Sequence, residues 1–376
     1  MHKRMEKLVA LINESELEAV ALNPGPCLSY LTGLHFHLME RPTVLLITRR
    51  GEAAIVLPEL EKGKLLGDKA RFQAYAYGDD PATWQDAYER AVAGIGLSRG
   101  SLGVEPTRLR FLEYSYLQNA LPGCKIVDAG GLLADLRITK ERDEIEKMKQ
   151  AARIAQEAIL ATLKSVREGI TEKALANTLI VQLLQAGSEP ELPFSPIVAF
   201  GENSANPHAV PTDRALQAGD LILIDWGAAY EGYFSDITRT FTFGEVDQEL
   251  LHIGEVVLEA NQAGRSAGKP GVGAGAVDRA ARAVIARAGY GSAFIHRTGH
   301  GLGMEAHEAP YIYDENDRIL TEGMTFTIEP GIYLPGRGGV RIEDDVVVGE
   351  DGLESLTDLP RALLPVESYI SSEVDA

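Results

Sequence analysis

Residues 221–243 read LILIDWGAAYEGYFSDITRTFTF, two apolar stretches joined by a polar, glycine-containing turn. Two runs of this kind around a short turn predict a β-hairpin. Asp225 ends the first apolar run and Asp236 lies near the start of the second, symmetric about a turn at Tyr230–Glu231. Opposite residues on antiparallel strands share a face, with Cβ atoms about 5 Å apart. Because like charges that face each other are destabilising, this spacing predicts a compensating cation.

A second hairpin is predicted for residues 325–348, TFTIEPGIYLPGRGGVRIEDDVVV, with its turn centred on Gly336. Glu329 and Glu343 are symmetric about this glycine and repeat the arrangement of the two aspartates. Four carboxylates form a hard, oxygen-rich ligand set that carries too much charge for one divalent ion. The two hairpins therefore predict a site for more than one divalent cation.

Imidazole groups come from the segment between the hairpins. Residues 296–310, HRTGHGLGMEAHEAP, contain three of the eight histidines, namely His296, His300 and His307. The segment lacks the glutamate of the helical zinc-peptidase motif, and its glycines disfavour a helix, so an extended loop is predicted. We expect this cluster to serve a site, whereas His208, in an Asn-Pro-His sequence, is by itself an ordinary loop histidine.

The chain is long enough for two domains of different organisation. Residues 1–135 alternate short apolar runs, among them 19–22 and 43–48, with helical patterns, which predicts an α/β layer domain. In the second half a pattern of two helices and a hairpin occurs twice, which indicates an internal duplication. The predicted helices of that half are 140–166, 172–186, 248–267 and 277–288. Thr139 is the predicted N-cap of the first of them.

Composition restricts the partners and the compartment. The 36 basic and 55 acidic residues give a net charge of −19, which argues against nucleic acid or an anionic membrane as a partner. Cys27 and Cys124 form no disulfide framework and are expected to be buried thiols in a reducing compartment. The amino-terminal apolar run is interrupted by polar residues, so no signal peptide is predicted, and no stretch reaches the ~18 apolar residues of a membrane span. A cytoplasmic location is predicted.

Together these motifs resemble the creatinase/methionine aminopeptidase ("pita-bread") family, and within it the Xaa-Pro dipeptidase (prolidase) and aminopeptidase P group. YLTG at 30–33 and GVE at 103–105 look like the creatinase-type N-terminal domain. The run LRITKERDEIEKMKQAA at 136–152 is similar to the family's join into the catalytic domain. The resemblance implies an α/β N-terminal domain and an α+β catalytic domain with helices over a pseudo-twofold antiparallel sheet. The predicted ranges are 1–135 for the first domain, 136–367 for the second and 368–376 for a flexible tail.

The resemblance also implies roles for individual residues. The metal ligands fall on Asp225, Asp236, His300, Glu329 and Glu343, in the motifs DWGAAYEGYFSD, GHGLG, TIEPG and RIEDD. His208 and His307 look like the histidines that contact substrate and stabilise the tetrahedral intermediate. Arg341 looks like the arginine that orients the second aspartate and the site's water. His296 and Tyr333 occupy further positions that contact the substrate.

The implied chemistry is metal-assisted peptide hydrolysis. Two divalent cations in such a site lower the pKa of water towards about 7. Glu329 is the expected proton acceptor, and His208 or His307 is expected to stabilise the oxyanion. Ligation by oxygen with one imidazole favours Mn²⁺ or Co²⁺, with Zn²⁺ as a further option. The implied substrate is a small peptide with a free N-terminus, and its proline at the second position rests on the resemblance alone.

Other functions fit the sequence less well. Creatinase has this fold without metals, and binding-only relatives have lost ligands, whereas all five ligand positions are present here. Methionine aminopeptidase shares the ligands but normally lacks the N-terminal domain. The glycine cluster at 271–275 follows a predicted helix instead of a strand, so it is weak evidence for dinucleotide binding. An aminopeptidase of the same fold without strict proline specificity stays an alternative, as does a non-catalytic peptide-binding protein.

Dipeptidase and aminopeptidase P activity are both consistent with the motifs. Small prolidases that resemble this chain often carry an arginine directly after the HExP sequence, where Tyr311 stands here, which permits longer peptides. Arg337 could supply the positive charge instead. A homodimer is also expected, with the N-terminal domain closing part of the neighbour's active site, because His35 and His37 lie beside the YLTG motif. A structural or surface role is the commoner alternative for these two histidines.

Overall fold

The computed structural model describes residues 2–65 and 72–370 of the chain. It divides into two compact units, Met1–Arg137 and Ile138–Ala376. In the predicted flexible tail, Glu367–Ile370 forms a short helix, and residues 371–376 lie outside the described part. No helix among the described residues is long and apolar enough to cross a membrane.

In its described residues, the N-terminal unit is built on one mixed sheet of six strands with the order β4-β3-β2-β1-β5-β6. The strands are β1 Ala19–Leu22, β2 Val44–Thr48, β3 Ala53–Pro58, β4 Gln73–Tyr77, β5 Gly100–Val104 and β6 Cys124–Asp128. The α-helices are α1 His2–Asn13, α2 Pro26–Thr32, α3 Trp84–Gly94, α4 Phe111–Ala120 and α5 Gly130–Arg137, with 3-10 turns at Glu59–Leu65 and Pro81–Thr83. Strands β1 and β2 are wholly buried, as expected for continuous apolar runs, and both cysteines are buried.

The C-terminal unit, Ile138–Ala376, contains five α-helices and thirteen strands among its described residues. The helices are α6 Arg142–Leu163, α7 Glu172–Gln185, α8 Gln248–Ala267, α9 Gly275–Arg287 and α10 Glu367–Ile370, with 3-10 turns at Gly201–Ala205 and Gly291–Ala293. The strands are β7 Ile197–Phe200, β8 Leu221–Trp226, β9 Ala229–Tyr230, β10 Tyr233–Phe234, β11 Ile237–Thr242, β12 Gly299–Gly301, β13 Glu308–Ile312, β14 Thr325–Ile328, β15 Gly331–Leu334, β16 Gly338–Arg341, β17 Asp344–Val348, β18 Leu353–Ser355 and β19 Leu364–Pro365.

These elements form two similar halves, as the repeated pattern predicts. One half has a sheet of order β19-β11-β8-β7, and α6 and α7 pack on it through an apolar core that includes Ile159, Leu179 and Ile224. The other half has the order β13-β12-β14-β17-β18, with an apolar core that includes Val277 of α9, Phe326 of β14 and Val346 of β17. Apolar stripes on the helices and apolar strand runs supply both cores, since each amphipathic face is stable only when covered. Helices over a pseudo-twofold antiparallel sheet were predicted, and this is confirmed.

The start of α6 differs from the prediction. The N-cap is Glu141, not Thr139, and its backbone N–H donates to the side chain of Glu144 at 2.8 Å in a capping box. Thr139 instead pairs in an isolated β-bridge with Met324. Because this bridge keeps the backbone of Thr139 extended, the helix starts later than the sequence pattern predicts.

The register of the first hairpin also differs. Strands β9 and β10 meet in a two-residue turn, Glu231–Gly232, with φ of 47° and 75°. Positive φ at both positions is the signature of the tight hairpin turn that matches strand twist, and glycine favours it. The ladder of β8 and β11 therefore places Asp225 opposite Thr238. The prediction that Asp225 faces Asp236 was wrong by two positions, because the turn centre lies one residue later than expected.

The second hairpin has the predicted register. The ladder of β14 and β17 pairs Ile328 with Asp344, and the ladder of β15 and β16 pairs Gly331 with Arg341. Glu329 and Glu343 lie between these two ladders in the same register, so they face each other as predicted. Both glutamates thus lie where the hairpin passes from one sheet to the next.

Candidate metal centre

The carboxylates of the two hairpins meet in one cluster. Ligand atoms of Asp225, Asp236 and Glu343 lie within 4.8 Å of one another, and so do ligand atoms of His300, Glu329 and Glu343. A third set of the same kind contains Asp236, His300 and His307. Since Glu343 belongs to two sets and His300 to two, the five residues predicted as metal ligands form a single continuous group.

The cluster is buried, which makes its charge costly. Asp236 is 4% exposed, His300 3% and Glu343 2%. Burial is the largest cause that raises the pKa of Asp236 and of Glu343 well above the ordinary range, and neighbouring carboxylates add to it. Burial likewise raises the pKa of Glu329 to about 7, although the Arg341 guanidinium opposes the rise. A bound cation would reverse this balance, because it favours the ionised forms.

The chemistry of the donors fits divalent cations. Asp225 Oδ1 and Asp236 Oδ1 are buried and accept no hydrogen bond from any residue in the described ranges. Buried polar atoms in native proteins normally have a partner, so two such oxygens aimed into one cluster indicate ligand positions. Carboxylate oxygens with one imidazole suit hard or borderline divalent ions. The group can therefore hold divalent metal, which also accounts for the charge that burial would otherwise penalise.

The orientation of His300 leaves one ring nitrogen for a ligand bond. Its Nδ1 lies 3.1 Å from the carbonyl oxygen of Gly301, to which it donates. Its Nε2 lies 3.6 Å from Asp236 Oδ2 and 3.4 Å from Glu329 Oε1. Burial, followed by the charge of His307, lowers the pKa of His300 well below its usual range. The imidazole is therefore neutral, with Nε2 facing the carboxylates, which is the form that binds metal.

Arg341 holds the first aspartate. Its Nη2 donates to Asp225 Oδ2 at 2.5 Å, and its Nε donates to Thr238 Oγ1 at 3.0 Å. Its Nη1 donates to the Tyr333 hydroxyl at 3.0 Å and to the Pro207 carbonyl at 3.3 Å. The resemblance implied that Arg341 orients the second aspartate, Asp236. The structure corrects this, because strand β16 places the guanidinium beside the first aspartate, Asp225. The hydrogen bond to Pro207 also holds the loop that carries His208.

The remaining predicted histidines surround this cluster in two different states. His296 is held at both ring nitrogens: Nδ1 lies 2.8 Å from the Arg297 carbonyl oxygen, and Nε2 lies 2.8 Å from the Tyr333 hydroxyl. Burial lowers the pKa of His296 to about 4. His208 and His307 are exposed, and the His307 ring lies 3.9 Å from that of His300. Two exposed imidazoles, those of His208 and His307, thus lie at the edge of the ligand group.

Two threonines with contacts to the ligands were missed by sequence reasoning. Thr238 Oγ1 donates to Glu343 Oε2 at 2.6 Å. Thr327 Oγ1 donates to Glu329 Oε1 at 3.3 Å and accepts from the backbone N–H of His300 at 3.2 Å. Each threonine lies two residues from an acidic ligand of its own hairpin, and residues two apart on a strand share a face. The period of the strand is the signal that could have found them.

Two arginines near the second hairpin differ in their pairing. Arg337 pairs with Asp247 and Glu249 at the start of α8. The Arg297 guanidinium lies over the Tyr311 ring, 4.4 Å from its centroid. The Arg297 charge helps to lower the pKa of His300 and of His307, which places it close to the cluster. Arg297 was not singled out from the sequence.

A buried carboxylate–imidazole cluster on the two hairpins of a duplicated α+β unit is the site of a metallopeptidase. The chain belongs to metallopeptidase family M24, whose family model matches residues 146–350. The model of the creatinase/prolidase N-terminal domain matches residues 4–139. The protein is thus a metallopeptidase with a creatinase-type N-terminal domain and a pita-bread catalytic domain, and its family implies divalent metal.

Relatives with known names cover nearly the whole chain. An Xaa-Pro dipeptidase of Pyrococcus furiosus is 35% identical over 367 residues, covering 97% of this chain and 100% of the relative. An Xaa-Pro dipeptidase of Lactobacillus helveticus is 35% identical over 355 residues, covering 94% and 96%. Among solved structures, a dipeptidase from Pyrococcus horikoshii OT3 is similar with a TM-score of 0.91 at 38% identity, covering 96% and 99%. An X-Pro aminopeptidase from Thermotoga maritima MSB8 has a TM-score of 0.82 at 32% identity, covering 96% and 99%.

Proposed function

We propose that this metallopeptidase hydrolyses the bond between the N-terminal residue of a peptide and a following proline, with two divalent cations at Asp225, Asp236, His300, Glu329 and Glu343. The observation that carries the proposal is the meeting of these five side chains beside two exposed imidazoles. The preference for proline is supported by the relatives named Xaa-Pro dipeptidase at 35% identity.

Each group of the site has a defined task in this reaction. When bound, divalent cations at such a site lower the pKa of water and stabilise developing negative charge. Glu329 accepts the proton of the attacking water, and Thr327 holds its Oε1 in place. His208 and His307 are exposed and can donate hydrogen bonds to the oxyanion of the tetrahedral intermediate. Arg341 orients Asp225 through a charge-assisted hydrogen bond.

We further propose that dipeptides are the preferred substrates. Arg337 pairs with two carboxylates, so it is a weaker candidate for the substrate's carboxylate than the sequence indicates. Arg297 is a better one, because its guanidinium packs on the half-exposed Tyr311 and its charge acts on the site's histidines. Aminopeptidase P activity is the second candidate, supported by the likeness to an X-Pro aminopeptidase.

Metal identity, compartment and assembly are part of the same proposal. Mn²⁺ is the proposed ion, since four carboxylates and one imidazole favour it over softer ions. A net charge of −19 favours an enzyme that binds neither nucleic acid nor an anionic membrane. The two buried free cysteines support a reducing, cytoplasmic compartment. A homodimer is proposed because Leu38 and Met39, beside His35 and His37, are 42% and 50% exposed in the N-terminal unit. A fully active monomer in sedimentation experiments would contradict it.

The first experiment removes metal, restores Mn²⁺ and compares cleavage of Ala-Pro with that of Ala-Pro-Ala. Manganese-dependent cleavage of Ala-Pro alone supports the dipeptidase. Cleavage mainly of Ala-Pro-Ala supports an aminopeptidase P instead. If the metal-loaded protein cleaves neither peptide but cleaves Ala-Ala, the enzyme lacks the proline preference. A protein that takes up no metal is the non-catalytic relative.

A further inference from the structure

A buried ion pair joins the beginning of the catalytic unit to the loop that carries its histidines. Lys140 Nζ lies 2.7 Å from Glu308 Oε1, and the two side chains are only 2% and 8% exposed. Lysine and glutamate are rarely buried to this degree, and the desolvation of such a pair cancels much of its attraction. A contribution to stability therefore does not explain why Lys140 and Glu308 are paired here. The position of the pair suggests a role in the site instead.

The backbone of Glu308 is adjacent to the segments that carry two of the site's imidazoles. Glu308 directly follows His307, and in the ladder of β12 and β13 it faces Gly301, which directly follows His300. The centroids of the two histidine rings lie 3.9 Å apart, with the ring planes tilted by 56°. A shift of the Glu308 backbone would therefore change the distance between the exposed imidazole and the metal-binding one.

The pair also lies directly against the backbone of the GHGLG loop. A Cβ atom at Gly303 would lie 2.7 Å from Glu308 Oε1 and 2.9 Å from Lys140 Cε, so only glycine leaves room for the pair. The Gly303 carbonyl accepts a hydrogen bond of 2.8 Å from the N–H of Phe234, which lies two residues before Asp236. The third glycine of the motif thus has a role that metal binding does not explain.

The backbone of Lys140 is held as firmly as its side chain. Its N–H donates to the Gly323 carbonyl at 2.9 Å, and a Cβ at Gly323 would lie 2.8 Å from the Lys140 carbonyl oxygen. Gly323 leads into strand β14, which ends one residue before Glu329. Through its backbone Lys140 therefore contacts the segment that leads into β14, which ends just before Glu329. Through its side chain it pairs with Glu308, the first residue of β13, just after His307.

We propose that Lys140 is a positioning residue of this peptidase: through Glu308 it sets the His307 imidazole relative to His300 and Glu329. Lys140 touches neither substrate nor metal. The proposal rests on the proposed function, because it assigns His307 a task on the substrate. Its competitor is an ion pair that only stabilises the fold.

Three variants separate the two explanations. Lys140→Met removes the donor, Lys140→Met with Glu308→Leu replaces the pair by apolar side chains, and Glu308→Gln keeps an oxygen for the Lys140 ammonium. Each is measured for kcat and KM on Ala-Pro with Mn²⁺, for bound metal and for Tm. Because a displacement near 1 Å can cost about 100-fold, we expect kcat of Lys140→Met to fall ~10–100-fold while KM changes less than about 3-fold.

The double variant decides the question. Apolar replacement of a buried pair commonly restores stability, so its Tm should return towards that of the wild type while kcat stays low. Glu308→Gln should keep kcat within about 3-fold of the wild type, since the hydrogen bond from Lys140 is retained. A double variant that regains both Tm and kcat would overturn the proposal, as would a Lys140→Met protein with unchanged kcat.

Leu179→Ala provides the matched control. This residue of α7 is fully buried in an apolar core and touches no group of the site as described. Its cavity should lower Tm without changing kcat per bound metal pair. If the wild type cleaves another peptide but not Ala-Pro, the proline assignment fails and the same variants are compared on that peptide. If the metal-loaded wild type cleaves no peptide, both proposals fail.

Discussion

The two hairpins of the catalytic unit supply the same number of carboxylates from different registers. In the first hairpin, Asp225 faces Thr238, and Asp236 lies outside the ladder, two residues earlier than the facing position. In the second, Glu329 and Glu343 share one register at the break between two ladders. Two shorter side chains in a staggered arrangement and two longer ones in a facing arrangement thus reach one cluster. A duplicated fold can therefore keep its chemistry while its strand pairing differs.

The hairpins also support each other's ligands. Arg341 of the second hairpin donates to Asp225 of the first, and Thr238 of the first donates to Glu343 of the second. The contact between Arg341 Nε and Thr238 Oγ1 joins these two supports into one network. Asp225 and Glu343 are each held by a side chain of the other hairpin, so the complete cluster requires both halves of the unit to be folded.

The largest expected effect comes from removing one ligand of each hairpin. Asp236→Ala and Glu343→Ala should each lower kcat/KM by about 1,000-fold or more, because loss of a ligand removes metal-supplied stabilisation worth several kcal/mol. Circular dichroism should show the wild-type fold in both. The comparison of the hairpins predicts similar losses, so a variant that keeps its activity would show that its hairpin is dispensable for metal chemistry.

Removing the metal should lower the stability of the protein, because the buried carboxylates of both hairpins then lack a compensating cation. Manganese at about 100 times its Kd should stabilise the protein by ~2.7 kcal/mol, seen as a higher Tm. Without metal, the pKa of Glu329 rises from 4.5 to about 7, so the folded state holds a proton that the unfolded state releases. The stabilisation that this Glu329 proton provides is fully present below pH 4.5 and is lost as pH rises through about 7.

Thermal unfolding between pH 6.5 and 8, in chelator or in Mn²⁺, measures this effect, because the lowered pKa of His296 acts in the opposite direction below about 6.5. The metal-free protein should lose Tm as pH rises across the interval. With Mn²⁺ the decline should disappear, since the cation favours the ionised carboxylates. A pH-independent Tm in chelator would show that the carboxylates do not burden the metal-free fold.

The threonines distinguish the hairpins more finely. Thr238 donates to Glu343 at 2.6 Å and accepts from Arg341, whereas the bond from Thr327 to Glu329 is 3.3 Å long. Partners of metal ligands are typically worth 10–100-fold, so we expect Thr238→Val to lower metal affinity ~10–100-fold and Thr327→Val less than ~10-fold. Titration of metal-free protein with Mn²⁺ measures both, and Thr178→Val on the exposed side of α7 is the control. Equal losses would remove the proposed asymmetry.

The smallest effects should come from the two turns. Gly232 and Gly336 both have φ of 75°, and a Cβ at Gly336 would have open space around it. Alanine in this left-handed region costs about 1–2 kcal/mol, so both Gly→Ala variants should lose that much stability in denaturant titrations. Only Gly232→Ala should also reduce activity, because the two-residue turn sets the position of Asp236. Equal activity of the two variants would disprove this link between turn and ligand.

Sequence patterns predicted most of the fold because they reflect local physics. Apolar runs located β1 and β2, and helical periodicity located α6 to α9, since each pattern describes how one element covers its own apolar face. The start of α6 was predicted wrongly because the bridge of Thr139 to Met324 links positions far apart in sequence. The predicted register of the first hairpin was wrong because the position of the turn decides the pairing of every later residue.

The sequence by itself determined the family, the division into two units and the types of metal ligand. These features follow from the identity of the motif residues and from their spacing. Tertiary structure alone decided that Arg341 holds Asp225, that Thr238 holds Glu343, and that Lys140 pairs with Glu308. These contacts join strands and loops that lie far apart along the chain. Their distances depend on packing and on register, which short-range preferences of single residues do not encode.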